Sequence, residues 1–338
     1  VADDITRSRA ELRELINGFR VTQTLYVLVT SGVADLLAGG PRTAEDLAAS
    51  IGAHGRALYR LLRALAGLGV LQEDEGHRFE LTPLGDGLRT EAPGSLAAWA
   101  AYEGSPVNWL TWGNLSESIR TGETGYRLLF DVDAWTYRAS HPEEQEAFDR
   151  AMVSLTAGAS QAVVNAYDFS RFRSVVDIGG GHGGFLGAVL THSPSVTGVL
   201  FDQPHVVAGA RDVLREFGVD DRCRVEGGSF FDSIPAEGDA YVLKSVIHDW
   251  DDLEAGRILG VCRRCMPAGA VMILIERVLA PPNEGVDDKL SDLNMLVNPG
   301  GMERSAEEFE ALLRAAGFRL VSITPTESQY KVIEAAPI

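Results

Sequence analysis

The sequence predicts a Rossmann-like α/β fold, in which a doubly wound, mostly parallel sheet of seven strands follows a region made almost entirely of helices. Two observations carry this prediction. Up to about residue 165 the apolar residues recur at helical spacing, with only one strand-like piece. From about residue 173, short β-rich runs alternate with helical segments. A repeated strand, crossover helix and strand is typical of a doubly wound sheet.

The first predicted element is an amphipathic helix over roughly Ser8–Leu36. Its apolar stripe consists of Leu12, Leu15, Ile16, Phe19, Val21, Leu25 and Leu28. This stripe is wider than a lone helix can leave in contact with water. We therefore expect a second copy of the chain to cover it, which makes the protein a homodimer.

The helical half also contains the pattern of a winged helix-turn-helix. Its predicted elements are two short helices and two strands: Thr43–Ser50, Arg56–Leu68, Val70–Glu73 and His77–Leu81. Thr43 is the expected N-cap of the first helix. The second helix carries three arginines and no acid, as a DNA-recognition helix would: Arg56, Arg60 and Arg63. A ligand-sensing DNA-binding regulator is therefore one interpretation, and a structural use of the wing within a dimer is the other.

Seven β-rich runs are predicted to form the sheet: Ser174–Ile178, Val196–Asp202, Arg222–Glu226, Ala240–Val246, Val271–Ile275, Arg319–Thr324 and Tyr330–Glu334. Only Pro325–Gln329 separate the last two runs. A crossover between parallel strands needs about a dozen residues or more, so these two runs must form a hairpin. The final strand is therefore expected to lie antiparallel, near one edge of the sheet.

Composition narrows the class of protein. The chain has 338 residues with 30 basic and 48 acidic side chains, a formal net charge of −18 that repels nucleic acid and anionic membranes. The longest apolar runs, Leu25–Val29 and Val271–Ile275, are too short to span a bilayer. The opening Val1-Ala2-Asp3-Asp4 lacks the basic and apolar regions of a signal peptide. We expect a cytoplasmic protein without nucleic-acid or membrane partners.

A glycine-rich loop follows the first strand of the sheet. It runs Asp177-Ile-Gly179-Gly-Gly181-His-Gly-Gly184 and leads into a helix at about Phe185. Such a loop lets a ligand approach the backbone and the helix N-terminus. A pyrophosphate of a nicotinamide cofactor is one candidate ligand. Asp177 favours another, because a carboxylate before the first glycine can bind a cationic amino group.

Two further segments predict a nucleoside site. Asp202 ends the second strand, where a carboxylate accepts hydrogen bonds from ribose hydroxyls in nicotinamide and adenosyl cofactors alike. After the third strand, Gly228-Ser229-Phe230-Phe231 places a hydroxyl and two aromatic rings where an adenine would stack. These residues indicate a nucleoside and leave its identity open.

The chain resembles the class I O-methyltransferases that act on small phenols, a family that includes plant caffeic acid and isoflavone enzymes and bacterial enzymes of antibiotic assembly. The resemblance covers essentially the whole chain, including the winged helix. Five motifs carry it in order: the glycine loop, Phe201-Asp-Gln-Pro204, Gly228-Ser-Phe-Phe231, Leu243-Lys-Ser-Val-Ile-His248-Asp-Trp-Asp-Asp252 and Asn298-Pro-Gly-Gly-Met-Glu303-Arg-Ser305. It implies S-adenosyl-L-methionine as cofactor and S-adenosyl-L-homocysteine as product. No clustered metal-ligand motif appears in the sequence, so we expect no metal.

In this family the histidine that matches His248 is the general base, and carboxylates that match Glu276 and Glu303 orient its ring. The chemistry fits, because a phenol titrates near ~10 and benefits from a base at neutral pH. His248 also follows the carboxyl end of a parallel strand, where open sheets bind their ligands.

The remaining predicted site residues fall into two sets. The expected cofactor-binding residues are Asp177, Gly179, Gly181, Asp202, Gly228, Ser229, Phe230, Lys244, Ser245 and Trp250. The expected acceptor-binding residues are Trp109, Met152, Asp292, Asn294, Met295 and Asn298. Trp109 and Met152 belong to an aromatic-rich helical segment, as a flat ring substrate needs. The resemblance implies that residues near Met152 and Asn294–Met295 line the acceptor pocket, to which Asp292 and Asn298 would add polar contacts.

The predicted organisation is a winged-helix dimerisation domain at 1–97, a helical linker and acceptor-binding cap at 98–165, and an S-adenosylmethionine-binding domain at 166–338. The predicted function is methylation of a phenolic hydroxyl on an aromatic polyketide or antibiotic intermediate. Three alternatives stay open: a regulator, a nicotinamide oxidoreductase, and a hydroxylase or decarboxylase with the same fold and cofactor.

Overall fold

The computed structural model describes residues 2–338, without the side chains of residues 2–6 and 157. Val1, on which part of the signal-peptide prediction rests, lies outside these residues. Within them, no helix is both long and apolar enough to cross a bilayer. The chain forms two compact units: unit 1 runs up to Gly113 and includes Thr136–Ala157, and unit 2 comprises Asn114–Trp135 and Gly158–Ile338. The segment 98–165 is thus shared between the units, and its role as a cap stays a prediction.

The elements of the first half are α1 (Ala2–Thr30), α2 (Val33–Leu37), β1 (Arg42–Thr43), α3 (Ala44–Ile51), α4 (Gly55–Gly67), β2 (Leu71–Glu73), β3 (Arg78–Leu81), α5 (Pro83–Asp86), α6 (Ala97–Glu103), α7 (Pro106–Gly113), α8 (Leu115–Thr121), α9 (Gly125–Phe130), α10 (Ala134–Ser140) and α11 (Pro142–Ala166). The elements of the second half are β4 (Ser174–Ile178), α12 (Gly184–His192), β5 (Thr197–Asp202), α13 (Ala210–Glu216), β6 (Cys223–Gly227), β7 (Ala240–Lys244), α14 (Asp252–Cys265), β8 (Val271–Glu276), α15 (Val286–Val297), α16 (Ala306–Ala315), β9 (Phe318–Pro325) and β10 (Lys331–Pro337).

The winged helix of unit 1 is present and has one more strand than predicted. Its sheet has the order β1-β3-β2, and the short strand β1 pairs with β3. Thr43 caps α3, because its hydroxyl accepts the backbone N–H of Asp46 at 3.2 Å. The arginines of α4 are exposed, while the opposite face of that helix buries Leu58, Leu62 and Leu65.

The predicted N-terminal helix is two helices in the structure. Gly32 adopts φ 73°, a left-handed conformation that ends α1 and starts α2. The apolar stripe is divided between two environments. Leu28 is fully buried in unit 1, whereas Leu12, Leu15, Ile16 and Phe19 are exposed in the single chain.

Unit 2 contains the predicted seven-stranded sheet, with the order β6-β5-β4-β7-β8-β10-β9. Strands β4 to β8 pair in parallel, and β10 lies antiparallel between β8 and β9. The doubly wound fold and the reversed final strand are therefore confirmed. Most strand boundaries agree with the prediction to within one or two residues.

Side chains alternate between two buried layers, one on each face of this sheet. Along β7, Tyr241 and Leu243 join one layer, and Ala240 and Val242 join the other. Helices α14 and α16 cover the first layer, while α12, α13 and the end of α11 cover the second. With both faces covered by helices, the carboxyl edge of the parallel strands is where polar side chains can meet a ligand.

Unit 1 depends on a close approach between α1 and the end of α6. An ideal Cβ on Gly104 would lie 2.3 Å from the Cβ of Tyr26, so alanine there forces the helix backbones apart. We expect Gly104→Ala to destabilise the protein by about 1–3 kcal/mol, the usual range for overpacking. Calorimetry would record this as a lower midpoint of thermal unfolding.

Gly113→Ala is the matched control for that variant. Gly113 ends α7 in the same unit, and a Cβ there would meet no atom within 4 Å. Alanine should be neutral or slightly stabilising at this position. Equal effects of the two substitutions would contradict the close approach.

Candidate active site

The glycine loop after β4 makes a tight turn, and one side of this loop faces open space. Gly179, Gly181 and Gly183 have φ values of 69°, 59° and 87°, which glycine adopts without strain. An ideal Cβ on Gly181 or Gly184 would meet no atom within 4 Å, so this side of the loop faces open space. A ligand can therefore reach the backbone N–H groups at the start of α12.

Asp177 is a buried carboxylate beneath this loop. Its side chain is 1% exposed, and neither carboxylate oxygen has a hydrogen-bond partner. Burial raises the pKa of Asp177 to about 7, although the positive charge of Lys244 acts in the opposite direction. Buried polar groups without partners are rare in proteins, so this one requires an explanation. A cationic group bound at the loop would supply the missing partner.

Asp202, at the end of β5, holds two loops in place. One carboxylate oxygen accepts the N–H of Gly181 at 2.8 Å, and the other accepts the N–H of Gln203 at 2.6 Å. Its backbone carbonyl accepts the N–H of Gly228 at 2.9 Å. Because Asp202 is half-buried, its side chain remains accessible from the same edge of the sheet.

Aromatic rings gather on the loop after β6. The ring of Phe230 lies 5.0 Å from that of Phe231 and 6.2 Å from that of Trp250, measured between centroids. The hydroxyl of Ser229 accepts the N–H of Phe231 at 3.2 Å and so fixes the turn. The structure thus brings together three of the residues predicted at the adenine site.

Lys244 and Ser245 connect β7 to the segment that carries His248. The Lys244 ammonium lies 5.1 Å from the centre of the Tyr330 ring. Burial lowers the pKa of Lys244, while the charges of Asp177 and Glu276 act to raise it. Ser245 has φ 54°, an uncommon conformation for a residue other than glycine, and its hydroxyl is buried.

His248 lies in a 3₁₀ turn, Ile247–Asp249, and faces two buried carboxylates. Its Nδ1 is 3.5 Å from an oxygen of Glu276 and 3.4 Å from an oxygen of Glu303. The ring's Nε2 is 3.6 Å from Asp249. Glu276 and Glu303 are at most 1% exposed. The three residues predicted to perform acid–base chemistry therefore lie together, and we call them the histidine–carboxylate cluster.

The two carboxylates are held by different donors. One oxygen of Glu276 accepts the N–H groups of Val246 and Ile247, at 3.1 and 2.8 Å. One oxygen of Glu303 accepts the hydroxyl of Ser291 at 2.8 Å. Ser291 was not predicted, because the serine and the glutamate belong to different motifs and meet only in the folded chain.

These contacts have opposite effects on the titration of the cluster. Burial alone would lower the pKa of His248, but the charges of Glu276, Asp249 and Glu303 raise it to about 10. Burial raises the pKa of Glu276 to about 7. Burial also acts to raise the pKa of Glu303, but the contacts with His248 and Ser291 hold it below its usual value.

The same cluster has the composition of a metal site, because one ligand atom from each residue lies within 4.8 Å of the others. Nitrogen and carboxylate oxygen ligands suit several divalent metals. The expectation that the protein works without a metal therefore stays a prediction.

Arg304 is a second residue that the sequence did not predict. It is fully buried, and its guanidinium donates to the carbonyls of Ile247 and Trp250 at 3.1 and 2.9 Å, and to Asp252 at 2.9 Å. Its place directly after Glu303, in a motif already recognised, was the one available signal.

The predicted acceptor-binding residues are divided between the units. In unit 2, Asp292 accepts the N–H of Glu303 at 2.9 Å, and the Asn298 amide donates to that of Asn294 at 2.6 Å. Met295 lies in the same segment and is buried. Trp109 and Met152 belong to unit 1, where Trp109 lies 6.0 Å from Phe19, ring to ring. Contact of these six residues with an acceptor stays a prediction.

Two family models match the chain. An O-methyltransferase domain matches residues 112–319, and an O-methyltransferase dimerisation domain matches residues 13–91. The phenazine O-methyltransferase of Lysobacter antibioticus is 43% identical over 97% of this chain and 96% of its own length. The 8-amino-8-demethylriboflavin N,N-dimethyltransferase of Streptomyces davaonensis is 39% identical, over 93% of this chain and 91% of its own.

A solved structure gives the same result. Human N-acetylserotonin methyltransferase in complex with S-adenosylmethionine superimposes with a TM-score of 0.90 and 29% identity, over 98% of this chain and 97% of that one. The family model spans more than half of the chain, and the relatives match it over nearly their whole length. These matches favour a methyltransferase over a nicotinamide oxidoreductase. The chain belongs to the O-methyltransferase family and is a methyltransferase that uses S-adenosylmethionine.

Proposed function

We propose that the enzyme methylates a phenolic hydroxyl of an aromatic natural-product intermediate, of the polyketide or antibiotic type, with His248 as general base. The observation that carries the proposal is the histidine–carboxylate cluster at the carboxyl edge of the sheet. Relatives named for phenazine and puromycin O-methylation support the class of acceptor.

The residues around the glycine loop fit S-adenosylmethionine, which supplies an electrophilic methyl group on a sulfonium. Asp177, buried and without a partner, would bind the cationic amino group. Asp202 would bind the ribose hydroxyls. Ser229, Phe230 and Trp250 would surround the adenine, while Lys244 and the backbone at Gly179, Gly181, Gly228 and Ser245 would complete the site. Because Asp177 titrates near pH 7 without ligand, binding should release a proton below that pH.

The raised pKa of His248 suits a phenolic acceptor. A histidine at its usual value of ~6.5 is a weak base toward a phenol at ~10. With the pKa raised to about 10, proton transfer to Nε2 is nearly balanced. The consequence is that only a small fraction of His248 is neutral at pH 7. Rate should therefore increase with pH well above neutrality.

Nitrogen is the second candidate acceptor atom, since one close relative is named as an N,N-dimethyltransferase. A neutral amine or ring nitrogen attacks through its lone pair and needs no base before the transfer. The cluster is therefore better explained by an oxygen acceptor. A hydroxylase or decarboxylase, or a DNA-binding regulator, would have no evident use for such a base.

We also propose that the enzyme is a homodimer. The exposed leucine, isoleucine and phenylalanine side chains of α1 form an apolar face, and residues 13–91 match a dimerisation domain. A second chain that covers this face would remove it from water.

Asp177→Asn tests the proposed cofactor site. Asp177→Asn should weaken S-adenosylmethionine binding by one to two orders of magnitude, since a charge-assisted bond contributes roughly 1.5–3 kcal/mol. The same substitution should increase the free energy of unfolding at pH values above about 4. The folded pKa lies above the unfolded value, so wild-type stability decreases as pH rises from about 4 to 7, and asparagine removes that loss. Calorimetric binding and unfolding at pH 5 and pH 8 measure both effects.

Asp212→Asn is the control for charge removal, because Asp212 is exposed and pairs with Arg215 within α13. Asp212→Asn should change neither the affinity for S-adenosylmethionine nor the free energy of unfolding. Unchanged cofactor affinity in Asp177→Asn would remove Asp177 from the site.

The base generates the second prediction. His248→Ala should lower kcat for a phenol by roughly 10²–10⁴ at neutral pH, with cofactor affinity nearly unchanged. In the wild type, kcat should rise with pH until His248 is neutral. Glu303→Gln should shift this rise of kcat to lower pH, because loss of the carboxylate lowers the pKa of His248. Stopped-time assays by mass spectrometry across pH 6–10 measure both.

An aromatic amine of the same ring system is the matched control acceptor. Methyl transfer to the amine should be much less sensitive to His248→Ala than transfer to the phenol. A His248→Ala variant within a few fold of wild type on the phenol would exclude the base and leave the methyltransferase activity itself unaffected.

The apolar face generates the third prediction. Ile16→Glu should convert the dimer into a monomer, because a charge would replace a side chain buried between subunits. Light scattering at micromolar concentration is the measurement. Leu253→Glu, an equally exposed position on α14 in unit 2, should leave the wild-type mass unchanged. A monomeric wild type would refute the proposed assembly.

A further inference from the structure

We propose that Arg304 is a positioning residue for methyl transfer, because its buried guanidinium ties the turn that carries His248 to the segment that carries Glu303. This inference rests on the proposed role of His248 as base. It adds a residue that touches neither reactant and acts through the geometry of the histidine–carboxylate cluster.

The guanidinium bonds to both sides of the turn. Nη1 donates to the carbonyl of Ile247 at 3.1 Å, directly before His248. Nη2 donates to the carbonyl of Trp250 at 2.9 Å, two residues after it. Nε donates to the carboxylate of Asp252 at 2.9 Å, where α14 begins. One side chain therefore fixes the turn on either side of the imidazole.

The backbone on the Glu303 side is tied to the same turn. Nη1 of Arg304 also donates to the carbonyl of Met302 at 3.3 Å, and the N–H of Met302 donates to the carbonyl of His248 at 2.8 Å. Gly301 lies so close that an ideal Cβ would be 2.0 Å from that carbonyl oxygen. Glu303 stands between Met302 and Arg304 in the chain, so its carboxylate is held relative to the imidazole.

The burial of Arg304 indicates why an arginine is needed at this position. Arg304 is 0% exposed, whereas its acidic partner Asp252 is 72% exposed, so carbonyl oxygens provide most of the compensation for a buried cation. An apolar side chain of similar size would serve packing equally well. It could not bind oxygens on two segments at once, which needs the fixed fork of an arginine.

The distances in the cluster leave little tolerance. Nδ1 of His248 is 3.4 Å from Glu303 and 3.5 Å from Glu276, so a shift of about 1 Å would abolish one of the contacts. Misplacement by that amount can lower a rate about 10²-fold. Cofactor affinity should change much less than kcat: Trp250, proposed at the adenine, bonds to Arg304 through its backbone carbonyl, whereas Asp177 and Asp202 lie on other strands.

The experiment compares Arg304→Lys with wild type. Lysine keeps the charge but cannot span the same acceptors. We expect kcat for a phenol to fall about 10-fold to 100-fold, with KM for S-adenosylmethionine within about threefold. The pKa of His248, followed by NMR of labelled histidine and assigned with His248→Gln, should shift toward its ordinary value. Arg222→Lys is the matched control, because Arg222 donates to the carbonyls of Val196 and Leu190 away from this edge.

A folded Arg304→Lys variant with wild-type kcat and an unchanged pKa of His248 would overturn the inference. Equal losses in Arg304→Lys and Arg222→Lys would do the same, since both would then report general destabilisation. If Arg304→Lys does not fold, Asp252→Asn replaces it. This variant should shift the pKa of His248 in the same direction by a smaller amount, and no shift would overturn the inference.

The NMR measurement also separates this inference from the proposed function. If His248→Ala retains wild-type activity, the base is wrong. Arg304→Lys still tests whether the guanidinium holds the imidazole against its carboxylates.

Discussion

The imidazole of His248 lies against the carboxylates of Glu276 and Glu303, which are almost fully buried. Because these charged groups have little contact with water, other polar groups of unit 2 must compensate for their charge. A buried charge is tolerated only where other groups compensate for lost hydration. Glu276 receives two backbone N–H groups, and Glu303 receives a serine hydroxyl. Arg304 bonds to the turn that carries His248 through the carbonyls of Ile247 and Trp250.

The unequal surroundings of the two carboxylates divide their roles. Glu303 stays ionised, because the imidazole and Ser291 both stabilise its charge. Burial raises the pKa of Glu276 to about 7, and its charge in turn raises that of His248, so the two groups titrate together. The cluster then behaves as one titrating unit with macroscopic pKa values.

The sequence predicted the sheet well, because alternating apolar residues and short connections are local signals. It predicted the cluster through the resemblance to the family, in which residues that match His248, Glu276 and Glu303 act together. Four features escaped prediction for physical reasons. The break between α1 and α2 depends on one glycine in a left-handed conformation, and β1 is only two residues long. Ser291 and Arg304 act through contacts with residues that are distant in the chain, which no local pattern records.

The position of β10 has a consequence for biosynthesis on the ribosome. This strand lies between β8 and β9, so β8 has an unpaired edge until Lys331–Pro337 has been translated. Glu276 ends β8, and Tyr330, beside the Lys244 ammonium, directly precedes β10. A folded sheet that lacks β10 would leave this edge exposed, a state prone to strand addition by other chains. A premature stop before β10 would leave a long polypeptide that contains every proposed chemical group and is a substrate for chaperones and proteases.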